Sequence, residues 1–325
     1  MEKELSNPEK SAKFLKLNSP ILRSNSGEQK EFLMTSGIRL ISLVLVCLLS
    51  FSMFGCGESD NSVDRFGLFD PDSLIHDAEL RSKIRWELEI YDTPITAADM
   101  LKLTKLDAKF EPNRTFLAIF PAGDDLPIFN VTGLEHAENL VTLNFGSNGL
   151  TDVSPLQGLK NLKELELHYN SLLDISPLKE LENLEVLWLS GNGFVNISPL
   201  TELKNLRRLS LSRTALVDVS PLTELKNLRK LWLERNELVD IRSLAGLKNL
   251  NQLHLDSNEL IDISPLEGLK NLRWLLLSNN NIVDVTPLMG LKNLQELDLT
   301  DNPLSDDSKK LIIPIIEANG TKVLY

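Results

Sequence analysis

The sequence contains few of the residues that usually carry a special structure or chemistry. Of its 325 residues, two are cysteine, four are histidine and 6% are aromatic. Two cysteines are too few for a disulfide scaffold, and without a Cys/His cluster they also exclude a zinc-ribbon domain. With so few aromatic side chains, a core has to be built mainly from aliphatic ones.

The chain also lacks an excess of basic charge. It has 34 Lys and Arg against 46 Asp and Glu, which gives a formal net charge of −12. A nucleic-acid-binding protein needs a basic face that displaces counterions, so this balance argues against that class. The hydrophobic fraction of 42% and the charged fraction of 25% are nevertheless typical of a chain that folds.

Sequence signatures of common enzymes are absent as well. The chain contains no HExxH, no GxSxG and no phosphate-binding GxxxxGKS/T pattern. The four histidines are scattered along the chain, at His76, His136, His168 and His254. We therefore expect no enzyme activity, no cofactor and no metal site.

An uncharged apolar run, LISLVLVCLLSFSMF, occupies residues 40–54. As a helix it would span about 22 Å, which is less than the hydrocarbon core of about 30 Å. With Arg39 as its positive flank, the run has the length of a signal-peptide core. Met34 lies six residues before it and is the expected start. Residues 1–33 are then either the product of an upstream start or an unusually long cytoplasmic lead.

The end of this run resembles the lipobox of bacterial lipoproteins, in which a small residue precedes an acylated cysteine. Gly55 and Cys56 fit the last two positions, although Phe54 stands where a small residue is usual. The resemblance implies a lipid on Cys56, such as palmitate, and a lipoprotein of the cell envelope that faces outside the cytoplasm. Residues 56–68 would then be a flexible tether. A cleaved secretory signal and an uncleaved membrane anchor are the alternatives.

A period of 22 residues runs through the second half of the chain. Within each unit the residues follow the pattern LxxLxLxxNxL, which is the leucine-rich-repeat pattern. One leucine column is unbroken: Leu140, Leu162, Leu184, Leu206, Leu228, Leu250, Leu272 and Leu294. A second column holds asparagine in seven units: Asn148, Asn170, Asn192, Asn236, Asn258, Asn280 and Asn302. In the remaining unit Thr214 stands at this position. A worn unit with Ile128, Val131 and Leu134 in register precedes these eight.

The columns predict the structure of a unit. Leu165 and Leu167 alternate with polar residues, which indicates a short strand with one buried face. Asn170 follows the strand, and its amide can satisfy backbone groups of the turn. Ser176-Pro177 reads as an N-cap followed by proline at the first helical position. An aspartate that recurs in every unit but one, as at Asp174, is expected to serve the loop rather than catalysis, since a catalytic pair needs one special environment.

No unit can bury its leucines alone, so neighbouring units have to stack. The sequence therefore predicts an α/β leucine-rich-repeat solenoid with a concave parallel sheet and short 3-10 or α turns on the convex side. We expect a helical N-cap over residues 69–117, repeats over 118–304 and a C-cap over 305–325. In the caps, Thr96 and Asp99 resemble a capping box, and a closing helix should bend at Pro314.

At this level the chain resembles the bacterial internalin-type leucine-rich-repeat proteins. The resemblance rests on the unit DISPLxxLxNLxxLxLxxN, as in residues 174–192, and on ITAADMLKL at residues 95–103, which is similar to their helical N-cap. It implies protein recognition by the concave face. No immunoglobulin-like domain and no cell-wall sorting tail follow the repeats, so the implied relative is a surface or periplasmic repeat lipoprotein.

Solvent-facing strand positions are free to vary, and here they contain three of the four tryptophans. The candidate partner-binding residues are Trp188, Arg208, Lys230, Trp232, His254 and Trp274. Tryptophan and arginine dominate binding hot spots, which favours a surface that recognises another protein. We expect a non-catalytic, monomeric recognition module that meets the membrane through its lipid only and binds no nucleic acid. The alternatives are tryptophans that stack for stability alone, a structural spacer, and a glycan binder.

Lipidation of Cys56 is directly testable. Radiolabelled palmitate should label the wild type and leave Cys56→Ser unlabelled, because only the cysteine sulfur is expected to carry the acyl chain. Equal labelling of the two proteins, or release of the wild type into the medium, would show that Cys56 is not the anchor.

Overall fold

A computed structural model describes residues 74–111 and 126–325. The predicted lead, signal peptide, tether and Cys56 lie outside the described residues. No helix in the described part is both long and apolar enough to cross a membrane.

Ten short parallel strands form one sheet, in the order of the sequence. Each strand pairs residue for residue with the next, so that Leu165 of one unit lies beside Leu187 of the following one. This confirms the predicted solenoid with a concave parallel sheet. The strands are β1 Lys105–Asp107, β2 Thr142–Asn144, β3 Glu164–Glu166, β4 Val186–Trp188, β5 Arg208–Ser210, β6 Lys230–Trp232, β7 Gln252–His254, β8 Trp274–Leu276, β9 Glu296–Asp298 and β10 Lys322–Leu324.

The sheet begins earlier in the chain than the repeat pattern indicates. Strand β1 lies in the segment expected to be a helical cap, and its Leu106 pairs with Leu143 of β2. The side chain of Asn148 donates to the carbonyl of Ala108, just as Asn170 donates to the carbonyl of Phe145 one unit later. The worn unit therefore has its strand at β1. Residues between that strand and Ile128 lengthen the unit, which hid the strand from the periodic pattern.

The core is a stack of aliphatic side chains, as expected from the low aromatic content. In one unit, Leu162, Leu165, Leu167, Leu172 and Leu178 are all 0% exposed. Burying one such side chain stabilises a fold by about 1.5–3 kcal/mol relative to leaving it in water. Because each unit covers the leucines of its neighbours, this gain is available only to the stack.

Buried asparagines connect neighbouring units. The Asn170 Nδ2 atom donates to the carbonyl of Phe145 in the preceding unit at 2.9 Å and to that of Leu167 in its own unit at 3.0 Å. Its Oδ1 atom accepts from the N–H of Leu150, again in the preceding unit, at 3.0 Å. One side-chain amide thus supplies hydrogen-bond partners to three backbone groups of the turn. No strand or helix would supply partners to these groups.

Thr214, which replaces the asparagine in one unit, forms only some of these hydrogen bonds. Its hydroxyl donates to the carbonyl of Leu211 in its own unit at 2.7 Å. Among the described residues it makes no bond to the carbonyl of Leu189, the counterpart of the bond from Asn170 to Phe145. In the same part of the chain, the N–H of Phe194 has no side-chain acceptor, whereas that of Leu150 bonds to Asn170. The link to the preceding unit is therefore weaker at this position.

The turns on the convex side are 3-10 helices, within the predicted range of types. They span Leu134–His136, Ser154–Leu156, Ser176–Glu180, Ser198–Glu202, Ser220–Glu224, Arg242–Gly246, Ser264–Leu266 and Thr286–Leu288. The capping differs from the expectation, because the recurring aspartate and not the serine caps the turn. Asp174 accepts from both the N–H and the hydroxyl of Ser176, each at 2.8 Å. This confirms a structural role for the aspartate column.

A second asparagine ladder, which the sequence analysis did not predict, lies at the other end of the strands. Asn183 donates to the carbonyl of Lys160 and Asn205 to that of Glu182, at 2.8 and 2.9 Å. The signal was present as the Asn-Leu pair that opens each unit. These side chains are exposed, so they contribute less than the buried ladder.

Both ends of the sheet are covered by helices, as predicted. At the first end, α1 (Ala78–Leu88) buries Leu80 and Ile84, and α2 (Ala97–Met100) begins with the predicted capping box of Thr96 and Asp99. At the second end, a π-helical segment (Ser308–Ile312) continues into α3 (Ile313–Ala318). The helix type thus changes directly before Pro314, where a bend was expected.

The buried ladder yields a stability prediction. Asn236→Ala should lower the free energy of unfolding by about 2 kcal/mol or more, because the buried N–H groups of Thr214 and Leu216 lose their acceptor. The carbonyl of Leu233 loses one of its two side-chain donors, whereas that of Leu211 keeps the Thr214 hydroxyl as its donor. Thr214→Asn should raise it by about 0.5–1.5 kcal/mol, the usual net contribution of a hydrogen bond. Chemical denaturation followed by circular dichroism measures both.

Asn227→Ala is the matched control, because it removes an exposed asparagine with one bond, to the carbonyl of Lys204. It should cost less than about 1 kcal/mol. Equal effects of Asn236→Ala and Asn227→Ala would show that the buried ladder has no special role.

Candidate interaction surface on the concave face

The parallel register aligns the outward-facing side chains in columns. The first residue of each strand from β2 to β9 forms the first column: Thr142, Glu164, Val186, Arg208, Lys230, Gln252, Trp274 and Glu296. The third residue forms the second column: Asn144, Glu166, Trp188, Ser210, Trp232, His254, Leu276 and Asp298. Two residues further on lies the third column: Gly146, His168, Ser190, Ser212, Glu234, Asp256, Ser278 and Thr300.

Trp188 and Trp232 stack on one another across an intervening strand. Their ring centroids are 5.0 Å apart and the ring planes are inclined by 29°. Two strand spacings amount to about 10 Å, which is the separation expected from their positions in the sheet. The rings close this gap because the residue between them in the second column, Ser210, is small and buried, with its hydroxyl bonded to that of Ser190.

His254 extends the stack by one strand. Its ring meets Trp232 edge-on, with the centroids 6.0 Å apart and the planes inclined by 79°. We call Trp188, Trp232 and His254 the aromatic row. All three side chains are partly exposed, so the row offers apolar surface to solvent on an acidic protein.

The stack partly supports the alternative that these tryptophans serve to stabilise the fold. An aromatic pair contributes about 0.5–1.5 kcal/mol beyond the area that it buries, so part of the row's role is structural. Partly exposed indoles still have surface to bury against a partner. Stability and recognition are therefore compatible at this row.

Two cations flank the aromatic row in the first column. Arg208 and Lys230 are paired neighbours on β5 and β6. Arg208 is exposed and Lys230 is partly exposed, and within residues 74–111 and 126–325 neither forms an ion pair. Trp274 stands in the same column on β8, and in the described part of the chain no ring contact joins it to the row. The structure thus joins three of the six predicted residues by ring contacts and places the other three, Arg208, Lys230 and Trp274, in the neighbouring column.

Two carboxylates beside the row were missed by the sequence analysis. Glu234 and Asp256 lie in the third column, next to His254. Burial raises the pKa of Asp256, and the neighbouring Glu234 raises it further. Burial lowers the pKa of His254, and the neighbouring Glu234 acts in the opposite direction. The sequence does indicate that these acids face the same side as the row, because each stands two residues after a second-column residue. They were missed because the prediction covered only the first two columns.

Comparison with known proteins identifies the family. Residues 138–180, 182–224, 226–268 and 270–311 match the profile of the family described as "Leucine Rich repeats (2 copies)". These matches cover more than half of the chain. The chain belongs to the leucine-rich-repeat family.

Solved structures place this leucine-rich-repeat protein near the internalins. It is similar to internalin C2 of Listeria monocytogenes, with 31% identity over 70% of this chain and 95% of that one, at a TM-score of 0.64. It is also similar to a leucine-rich-repeat protein of Leptospira interrogans, with 27% identity over 59% of this chain and 56% of that one, at a TM-score of 0.54. Comparison with curated proteins gives no match. These likenesses support an internalin-like repeat protein.

Proposed function

We propose that this protein is a non-catalytic recognition module that binds another protein through the concave face of strands β4 to β8. The observation that carries the proposal is the aromatic row, a partly exposed apolar strip on a chain with a net charge of −12. Aromatic side chains at the centre of an interface contribute most of its binding energy. The leucine frame does not require aromatic residues at these positions, since the second column also holds Asn144 and Asp298.

The cations beside the row indicate the kind of partner surface. Arg208 and Lys230 have no ion-pair partner among the described residues, so each can pair with an acidic group of a bound protein. Charges at the rim of an interface mainly speed association and select the orientation of the partner. We therefore expect a partner that presents an apolar patch next to at least one carboxylate.

The proposed location follows from the N-terminal sequence. The apolar run and Gly55-Cys56 support an acylated, extracytoplasmic protein that is tethered by residues 56–68. The likeness to internalin C2 fits this location. That the protein works as a monomer, and meets the membrane only through its lipid, stays a prediction.

Glycan binding is the second candidate, because partly exposed indoles can stack on sugar rings. The geometry favours a protein partner over a glycan, since the contact between Trp188 and Trp232 already occupies one face of each ring. A titration of tryptophan fluorescence with sugars separates the two, because saturable quenching is expected only of a glycan binder.

Trp232→Ala tests the protein-binding proposal most sharply. Loss of a hot-spot anchor costs about 2 kcal/mol, so the affinity for a partner captured from envelope extracts should fall at least about tenfold. The free energy of unfolding should fall by only about 0.5–1.5 kcal/mol, from the lost stack. Surface plasmon resonance and chemical denaturation measure the two quantities.

Trp86→Ala is the matched control, because Trp86 is 72% exposed on α1 and lies outside the concave columns. It should leave affinity and stability unchanged. Arg208→Glu should slow association, and mainly at low salt, because screening removes the steering effect. If Trp232→Ala lowers stability and leaves the affinity intact, the row is structural and the proposal is wrong.

A further inference from the structure

We propose that Glu234, His254 and Asp256 form a binding site for a divalent transition-metal ion of the zinc class. Each residue offers one ligand atom, and the three atoms lie within 4.8 Å of one another. The site is argued from these residues alone and does not depend on the proposed recognition of a protein. The scattered histidines predict no metal site, because only the register of the strands brings His254 beside the third column.

The sheet places these ligands on two adjacent units. His254 is the last residue of β7, Asp256 follows it by two residues, and Glu234 stands at the same position after β6. In a tetrahedral zinc site with bonds of about 2.0–2.2 Å, ligand atoms stand about 3.2–3.6 Å apart. The widest separation that the cluster allows, 4.8 Å, therefore has to shrink by about 1.2–1.6 Å. Side-chain torsions can supply this movement because all three residues are partly exposed.

An unsatisfied atom points to a missing positive group. The Oε2 atom of Glu234 is buried and has no hydrogen-bond partner in the described part of the chain. A buried carboxylate oxygen without a donor carries a desolvation penalty. The carboxylate of Asp256 lies close by, so two like charges face one another at this place. A cation between the two carboxylates would relieve both the desolvation and the repulsion.

His254 supplies the ligand that selects the metal. Imidazole together with carboxylates suits zinc, copper and nickel, whereas calcium and magnesium prefer oxygen ligands only. The His254 Nε2 atom lies 2.9 Å from the amide nitrogen of Gln252. In the orientation observed, the amide donates to Nε2, which leaves the ring hydrogen on Nδ1. The same amide turned over, with its oxygen facing the ring, would accept from Nε2 and free the lone pair of Nδ1 for a cation. Gln252 is thus placed to orient the ring.

Three protein ligands leave one position of a four-coordinate ion free. Water would fill that position in the isolated protein. Because the ring of His254 contacts Trp232, the ion would sit beside the aromatic row. A bound partner could therefore supply the fourth ligand.

The test is calorimetric titration of ZnCl₂ into the purified, chelator-treated full chain. The wild type should bind one zinc ion. The variants His254→Ala and Asp256→Asn should each bind zinc at least tenfold more weakly than the wild type. His76→Ala removes an exposed histidine next to α1 and should bind zinc like the wild type. Cys47 and Cys56 are common to all these proteins, so any zinc that they bind cancels in the comparison.

Fluorescence provides a second readout that depends on position. Ni²⁺ or Cu²⁺ at the site should quench Trp232, whose ring centroid is 6.0 Å from that of His254, and the quenching should disappear in His254→Ala. Glu234→Gln keeps the shape of the side chain, and its circular dichroism should match the wild type while its zinc affinity falls. If the wild type and the three site variants bind zinc equally, the cluster is not a metal site. A wild type that binds no zinc overturns the proposal as well.

Discussion

The structure depends on the hydrogen bonds by which each buried asparagine joins its own unit to the preceding one. A leucine core alone would hold units together without fixing how they align. Asn170 adds this alignment, because it reaches the backbone of Phe145 and Leu150 in the unit before it. A slip of one residue would leave these groups unsatisfied in the interior, at a cost that burial of leucines could not offset.

Strict alignment is also what creates a functional surface. Because equivalent strand positions lie side by side, residues that are 22 or 44 apart in sequence become neighbours. Trp188 and Trp232 meet in this way over Ser210, and His254 continues the row. The frame leaves these outward positions free to vary, so recognition can change without loss of the fold. The cluster of Glu234, His254 and Asp256 arises from the same alignment.

The sequence predicts most of the fold, because the repeat exposes the position of every buried leucine and asparagine. It predicts less where the period is broken or where side-chain size decides the geometry. Strand β1 was missed because extra residues separate it from Ile128. Stacked tryptophans were only an alternative expectation, because column positions alone do not show that a small Ser210 lets the two rings close. The role of Asp174 as the cap was also missed, because Ser176-Pro177 has the familiar sequence of a helix start.

The central claim is that the concave face of β4 to β8 contacts a protein partner. The most direct measurement uses two variants of the otherwise intact protein, each with one photo-reactive amino acid. In the first variant it replaces the residue at position 230, in the first column of β6. In the second it replaces the residue at position 224, in the convex turn of the preceding unit. The account predicts that irradiation cross-links the partner to position 230 and not to position 224. Cross-linking at position 224 with none at position 230 would contradict it.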